Sequence, residues 1–365
     1  MSNWPTKKLG EIAEISSGGT PRTGMNEYWD GDVPWLRSGE LVDKEIYKTE
    51  RKITELGLKN SSAKLFPKNS VLIALTGATV GKTGILRIEA STNQSVAAIL
   101  PNEKFIPEFV WYFLRLNYPK IKYRAYGGAQ PHIDQGDIKA LKINLPPLEA
   151  QKQIVERLDK IAEAEKLNDE LIQKSDELFQ SLLRKELNPT GKNWEIKKLG
   201  EVCEIYQPQT ITSNEIKKEG PYKVFGANGV IGYYHKYNHE DSEVLVTCRG
   251  ATCGTLNFSE PKSWITGNAM VVKPKDKNLT KEFLYYLLIK SNLKKIITGT
   301  GQPQITRMSL APFKISIPPI KIQKQIVAKL SAVQDYKKQL RVQKSKLKEL
   351  FDSVLHKSMK GELVK

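Results

Sequence analysis

The chain has 365 residues, 57 Lys and Arg against 40 Asp and Glu, a formal net charge of +17 and three cysteines. That length exceeds one domain of roughly 150 residues, the odd cysteine count argues against a disulfide framework, and no run nears the ~20 apolar residues of a membrane span. The opening residues lack a signal-peptide layout, so a cytoplasmic protein is expected, with a positive excess that attracts polyanions, nucleic acid ahead of membrane surfaces.

In chain order, the segment Trp4-Pro5-Thr6-Lys7-Lys8-Leu9-Gly10-Glu11-Ile12 leads into a Gly- and Pro-rich stretch. Apolar runs over 71–75 and 96–100, bounded by Gly, Pro and Asn, predict strands. Between them lies Gly77-Ala78-Thr79-Val80-Gly81-Lys82-Thr83. A phosphate-binding loop needs four residues between its glycines and this segment has three, so a Gly-flanked turn is expected, one that could bring its amides near a phosphate. An aromatic helix is predicted over 109–114, then a glycine-rich loop over 123–132, then Pro146-Pro147. From Leu148 to Leu187 there is no Gly or Pro, and Ile154, Leu158, Ile161, Ala164, Leu171, Leu178 and Leu182 recur at three and four, with Asn168 and Ser175 interrupting the seam. A single long helix is predicted.

From Trp194 the order begins again. Trp194 to Ile205 repeats Trp4 to Ile15 at an offset of 190; Gly250-Ala251-Thr252-Cys253-Gly254 repeats the turn at 173; Gln302-Pro303-Gln304-Ile305 repeats Gln130-Pro131-His132-Ile133 at 172. Pro318-Pro319 opens a second Gly- and Pro-free stretch to Met359, with a stripe of Ile326, Leu330, Val333, Leu340, Leu347, Leu350 and Val354. The chain is a duplication, the first copy longer between Ile15 and Gly77. The two helical stretches carry net charges of −3 and +7, which favours pairing with each other over self-pairing. An entire domain separates them in sequence, so an antiparallel pair of ~60 Å rods is the simplest arrangement, and one able to act as a ruler. The expected fold is α+β: two mixed, strand-rich globular domains (1–146 and 189–318) separated by a long antiparallel two-helix coiled coil (147–188 and 319–365), with an internal pseudo-twofold repeat.

Catalytic sets are weak. Cys248, Cys253, His235 and His239 have zinc-ligand chemistry, but the two cysteines align with Leu75 and Val80. His132 and Asp134 could serve acid-base chemistry, but align with Gln304 and Thr306. Asn144-Leu145-Pro146-Pro147 misses the adenine-methyltransferase motif by an intruding Leu. No catalytic residue, no metal and no cofactor is expected in this chain.

The loops instead offer hydrogen-bonding groups suited to base edges and phosphates. In the first copy these are Arg22, Trp35, Arg37, Ser38, Lys82, Asn93, Gln94, Tyr123, Arg124, Tyr126, Gly128, Gln130 and His132. In the second they are Gln207, Gln209, Thr210, Thr212, Arg249, Asn268, Thr300, Gln302, Gln304 and Arg307. DNA binding is the leading expectation. The rivals are a nucleotide-binding enzyme built on 77–83 and a coiled-coil scaffold that touches no DNA.

Several segments together resemble one family. They are Trp4 to Gly10, Gly18-Gly19-Thr20-Pro21, Tyr28 to Gly39, the Gly-Ala-Thr-x-Gly turn, Asn93-Gln94-Ser95, the Pro-Pro-Leu-x-x-Gln entry to the long helix, and in copy two Tyr222 to Gly229 with Thr266-Gly267-Asn268-Ala269. The chain resembles a specificity subunit of a type I restriction-modification enzyme over nearly its whole length. The resemblance implies two target recognition domains, each reading half of a split asymmetric site on double-stranded DNA. It also implies helices that dock two methyltransferase subunits and, in the full complex, restriction subunits. S-adenosylmethionine, ATP and Mg would belong to those partners. The two copies differ most between Ile15 and Gly77, so different half-sites are expected.

Overall fold

The computed structural model describes residues 4–127, 131–299 and 301–363. It divides into two compact units, Met1–Asn168 with Gln343–Lys365, and Asp169–Val342. Each long helix is shared between the units: Leu148–Glu186 and Ile320–Met359. Both begin directly after a Pro-Pro pair, where the ring fixes φ and the missing N–H is tolerated.

In unit 1 a five-stranded sheet runs in the order Ile15–Ser17, Val96–Ile99, Val71–Ala74, Thr83–Leu86, Lys44–Ile46. All neighbours are antiparallel except the last pair. Strands 71–74 and 96–99 are buried at every position, which is why they read as unbroken apolar runs. Beside it a second sheet is built around Trp29–Leu36, antiparallel to Arg51–Ile53 and parallel to Ala90–Thr92. Unit 2 repeats the plan with fewer strands. Cys203–Tyr206, Ala269–Pro274, Val244–Thr247 and Leu256–Phe258 form one sheet. Gly229–Tyr234, Tyr222–Gly226 and Trp264–Ile265 form the other. The aromatic helices are Pro107–Arg124 and Lys281–Lys290, the first longer than its sequence pattern implied.

The duplicated N-terminal motif has one job in both places. Thr6–Lys8 pairs with Lys142–Asn144, and Glu195–Lys198 with Lys314–Ile317, so each copy is closed by a two-stranded clasp just ahead of its long helix. A buried glutamine fixes the helix entry. Gln151 Oε1 accepts from the Ile106 N–H at 2.8 Å while its Nε2 donates to Pro146 O at 2.9 Å. Gln323 Oε1 accepts from the Thr280 N–H at 3.0 Å while its Nε2 donates to Pro318 O at 2.8 Å and Asn278 O at 2.6 Å. Both side chains are fully enclosed, and an amide is the group that can satisfy a donor and acceptors together at that corner.

The helix seams depart from the expected stripes. Within unit 1, Ile154 and Leu158 pack with Phe351, Leu355 and Met359; within unit 2, Phe179, Leu183 and Leu187 pack with Ile326 and Leu330. The start of one helix thus lies with the end of the other inside each unit, the antiparallel sense. Leu171, Leu178 and Leu350, expected on the seam, are 40%, 51% and 48% exposed, whereas Ser175 and Asn168, expected to interrupt it, are buried. Phe179 and Phe351, the residues after Leu178 and Leu350, fill the core instead. A seam followed by leucines alone slips by one position where a larger ring takes the buried side. Charge complementarity is realised in unit 2, where Lys329 pairs with Glu186 at 3.0 Å and Lys337 with Asp176. No helix among the described residues is long and apolar enough to cross a membrane.

Candidate nucleic-acid interface

In each copy the fold brings together two loops that lie some fifty residues apart. In unit 1 the turn Gly77–Thr79 receives the returning loop: the Gly77 N–H donates to Pro131 O at 2.9 Å and the Ile133 N–H to Leu75 O at 2.9 Å. In unit 2 the Gly250 N–H donates to Pro303 O at 3.1 Å and the Ile305 N–H to Cys248 O at 3.0 Å. Gly77 and Gly81 sit at φ +78° and +80°, Gly250 and Gly254 at +85° and +87°, so both glycines of the Gly-Ala-Thr-x-Gly turn are required by left-handed backbone. The turn's amides are used internally: Val80, Gly81 and Lys82 donate to Gly77, Ala74 and Thr79.

Around this junction unit 1 places Tyr123 and Tyr126, 91% and 53% exposed, with Arg124 between them. Tyr126 and His132 exchange backbone hydrogen bonds at 3.1 and 2.8 Å, and their rings lie 4.0 Å apart. The Thr79 hydroxyl donates to Ser38 O at 3.0 Å, which draws Arg37 and Ser38 to the same edge. Arg37 is held by Glu50 at 2.8 Å. Gln94 is exposed, its Oε1 accepting from the Thr20 hydroxyl at 2.5 Å, and the Asn93 N–H donates to Leu36 O at 2.9 Å. Arg22 is exposed while its carbonyl accepts from the Trp29 indole at 3.2 Å. Gly128 and Gln130 lie outside the described residues.

Two of the expected contacts are spent on the scaffold. Trp35 is 3% exposed, donates to Gly19 O at 3.0 Å and packs edge-on to Trp29 at 5.0 Å; it is a core residue, because a large ring on the sheet's inner face gains more by burial than at a wet edge. Lys82 pairs with Asp43 at 2.6 Å over the Tyr118 ring. Burial pushes the Asp43 carboxyl up, but hydrogen bonds from Lys82, the Thr83 amide and the Thr83 hydroxyl, with the Lys82 charge, outweigh it and hold Asp43 below the ordinary carboxylate value.

In unit 2, Arg249 and Gln304 are exposed neighbours bridged through their backbones. Gln207 Nε2 donates to Gly267 O at 3.0 Å and contacts the Cys248 sulfur at 3.1 Å, which sets it beside exposed Asn268. Thr210 abuts Gly267, close enough that a Cβ there would meet its hydroxyl at 2.7 Å. Gln209, Gln302 and Arg307 are exposed. Thr212 is occupied: its hydroxyl donates to Glu215 at 2.8 Å. Thr300 lies outside the described residues.

Cys248 and Cys253 are buried in the second core, where Leu75 and Val80 stand in the first. Both His239 ring nitrogens have partners, Tyr206 OH at 2.9 Å and Asn238 Oδ1 at 2.7 Å, and burial together with Lys273 and Lys281 lowers its pKa. Asp134 caps a short helix by accepting from the Asp137 N–H at 2.8 Å. One element is not evident from the sequence pattern. The hairpin turn after Tyr222–Gly226 reaches this edge, its Ala227 carbonyl accepting from the Thr247 hydroxyl. The Asn228-Gly229 pair was its available signal.

The helices present a separate surface. In unit 2, Leu171, Leu178, Val333 and Tyr336 border an open, mostly apolar cavity of about 320 Å³.

The family model for the type I restriction modification DNA specificity domain matches residues 1–174 and again 191–351. The chain is 29% identical over 237 residues to the type I restriction enzyme MjaIX specificity subunit of Methanocaldococcus jannaschii, covering 59% of this chain and 55% of that one. It is 26% identical over 347 residues to the type I restriction enzyme EcoprrI specificity subunit of Escherichia coli, covering 88% and 85%. Thus it spans about half the length of the first relative and most of the second. The crystal structure of the type I restriction-modification S subunit from M. genitalium superposes with a TM-score of 0.66 at 16% identity, over 98% of this chain and 96% of that one, which shows the shared fold. With a duplicated unit, paired long helices and a family match to both halves, the chain belongs to the type I restriction-modification DNA specificity family.

Proposed function

We propose that the chain is the DNA-reading, non-catalytic subunit of a cytoplasmic type I restriction-modification complex. Its recognition domains, 1–146 and 189–318, each bind one half of a bipartite asymmetric site on double-stranded DNA. The observation that carries this reading is the repeated junction of the 77–81 turn with residues 131–133, and of the 250–254 turn with residues 303–305, in a chain of net charge +17. The same backbone frame carries Thr76, Tyr126 and His132 in one copy and Arg249, Thr298 and Gln304 in the other, so one scaffold presents two sets of donors and acceptors to base edges. Methylation and cleavage, with S-adenosylmethionine, ATP and Mg, belong to two methyltransferase subunits and to restriction subunits. The apolar cavity beside Leu171 and Tyr336 suits the docking of such a partner.

The test is coexpression with the adjacent methyltransferase and genome-wide mapping of modified adenines. Modification at one split, asymmetric sequence that disappears without this chain is expected. Modification with unchanged sequence preference in its absence overturns the proposal.

A further inference from the structure

The strand that precedes the DNA-facing edge is equivalent in the two units, but the segment after it differs. In unit 1, Trp35 and Leu36 pair in parallel with Ser91 and Thr92, and the Asn93 N–H donates to Leu36 O. In unit 2, Val224 and Phe225 pair in parallel with Trp264 and Ile265, and the Thr266 N–H donates to Phe225 O. The register therefore equates Leu36 with Phe225, and Arg37-Ser38 with Gly226-Ala227. After Leu36 the chain turns through a short helix, Ser38–Glu40; after Phe225 it continues into a hairpin tip in which Gly226 pairs with Gly229 and the chain turns at Ala227-Asn228.

This ribbon has properties a core hairpin lacks. Val230 and Ile231 are 47% and 48% exposed; Ile231 is the extra residue where the pairing shifts register, and it lies over Gly226. The eleven residues from Val224 to Tyr234 carry no charge in a chain that is 27% charged. Lys217, Lys218, Lys223 and Lys236 stand at its base, against Glu215, Glu219 and Glu260, of which Glu260 pairs with Lys223 at 2.5 Å and Glu215 is held by Thr212 and Tyr234. The tip is anchored to the edge that holds Arg249, through Thr247 to Ala227 O, and Gly229 lies against Asn257.

Val224 and Phe225 are flanked by Trp264 and Ile265 and Tyr233 by Lys217, so the hairpin is two strands wide only at its tip, 226–231. A two-stranded tip is of a width that the DNA major groove admits, and an uncharged one with lysines behind it fits a groove floor of bases between phosphate walls. Resting on the DNA-reading function above, we propose that the tip of this hairpin, around Asn228, Val230 and Ile231, enters the major groove of the half-site read by unit 2, with the Asn228 amide meeting a base edge and Val230 and Ile231 meeting apolar base surface such as thymine methyl groups.

The experiment uses the whole subunit copurified with its methyltransferase partners, and DNA libraries randomised in each half-site. Asn228→Ala and the double variant Val230→Ser, Ile231→Ser are compared with wild type for methylation preference, thermal unfolding and subunit assembly. The expected result is discrimination reduced about 5–150-fold at one or more bases of a single half-site, from the loss of a base contact, with the other half-site, unfolding temperature and assembly unchanged. Unaltered preference at both half-sites overturns the proposal. So does loss of assembly with preference retained, which makes the ribbon a protein-docking element. A wild-type complex without sequence preference removes the underlying function itself, a result separable from both.

Discussion

The two copies are most alike where the chain is buried and least alike where it leaves the sheet. Their clasps, glycine turns and glutamine anchors correspond residue for residue in role, while the segment after the equivalent strand is a short helix next to Arg37 in one and an uncharged ribbon in the other. The difference teaches that folding and recognition are written in separate positions. A frame defined by positive-φ glycines and buried amides leaves the adjoining segment free to change length and chemistry without disturbing the core.

The comparison can be strained first at the equivalent strand. Trp35→Ala should lower unfolding free energy by about 3–5 kcal/mol, as for other buried large aromatics. Val224→Ala, at the matching register, should cost about 1–2 kcal/mol from buried methyl groups worth ~0.8 each. Denaturant titration of the two variants checks this, and equal losses would mean that the two second sheets bear the same load. Next come the anchors. Gln151→Ala and Gln323→Ala should each destabilise by about 1–3 kcal/mol for the orphaned N–H of Ile106 or Thr280, and the two losses should match. A mismatch beyond experimental error would break the equivalence of the helix entries.

The smallest effect belongs to one copy alone. Asp43 lies in the stretch where copy one is longer, and the Lys82 that holds it is Thr255 in copy two. Its carboxyl is held below 3.8, so its contribution is present above that value and is lost as pH falls through the folded-state value. Asp43→Asn should therefore lower stability near neutral pH by on the order of 1 kcal/mol, and the two proteins should converge under acid. A gap that persists below the folded-state pKa would assign the effect to packing instead.

The sequence disclosed the duplication and the order of elements because glycines demanded by left-handed backbone cannot be replaced without strain, so Gly77, Gly81, Gly250 and Gly254 remain aligned. It was a poorer guide to which polar or aromatic residue faces out. Trp35 reads equally well as an edge aromatic or a core ring, and only the sheet's second face decides. Lys82 reads as a phosphate ligand until Asp43, thirty-nine residues away, is seen beside it. The helix phase holds at Ile154, Leu158, Ile326, Leu330 and Leu340 and slips at Leu171 and Leu178 for a related reason: seven-residue spacing fits those two leucines as well as it fits Asn168 and Ser175, and depth of burial separates them. The glutamine anchors were visible as repeated letters, but nothing local marks a Gln as enclosed.

The sharing of unit 1 between the two ends of the described chain bears on its biosynthesis. Phe351, Leu355 and Met359 complete the core that begins with Leu9 and Ile12, and Arg157 donates to Leu363 O across 206 residues at 2.7 Å. A ribosome exposes unit 2 in full once residue 342 has emerged, while unit 1, made first, still lacks one wall. The N-terminal domain must then wait with an uncovered apolar face while its neighbour folds, and closing so long a loop is slow relative to local contacts. Nascent-chain handling by chaperones should accordingly concentrate on the 4–168 part of unit 1, and a premature stop near Lys344 should injure that part although it lies far from the stop in sequence.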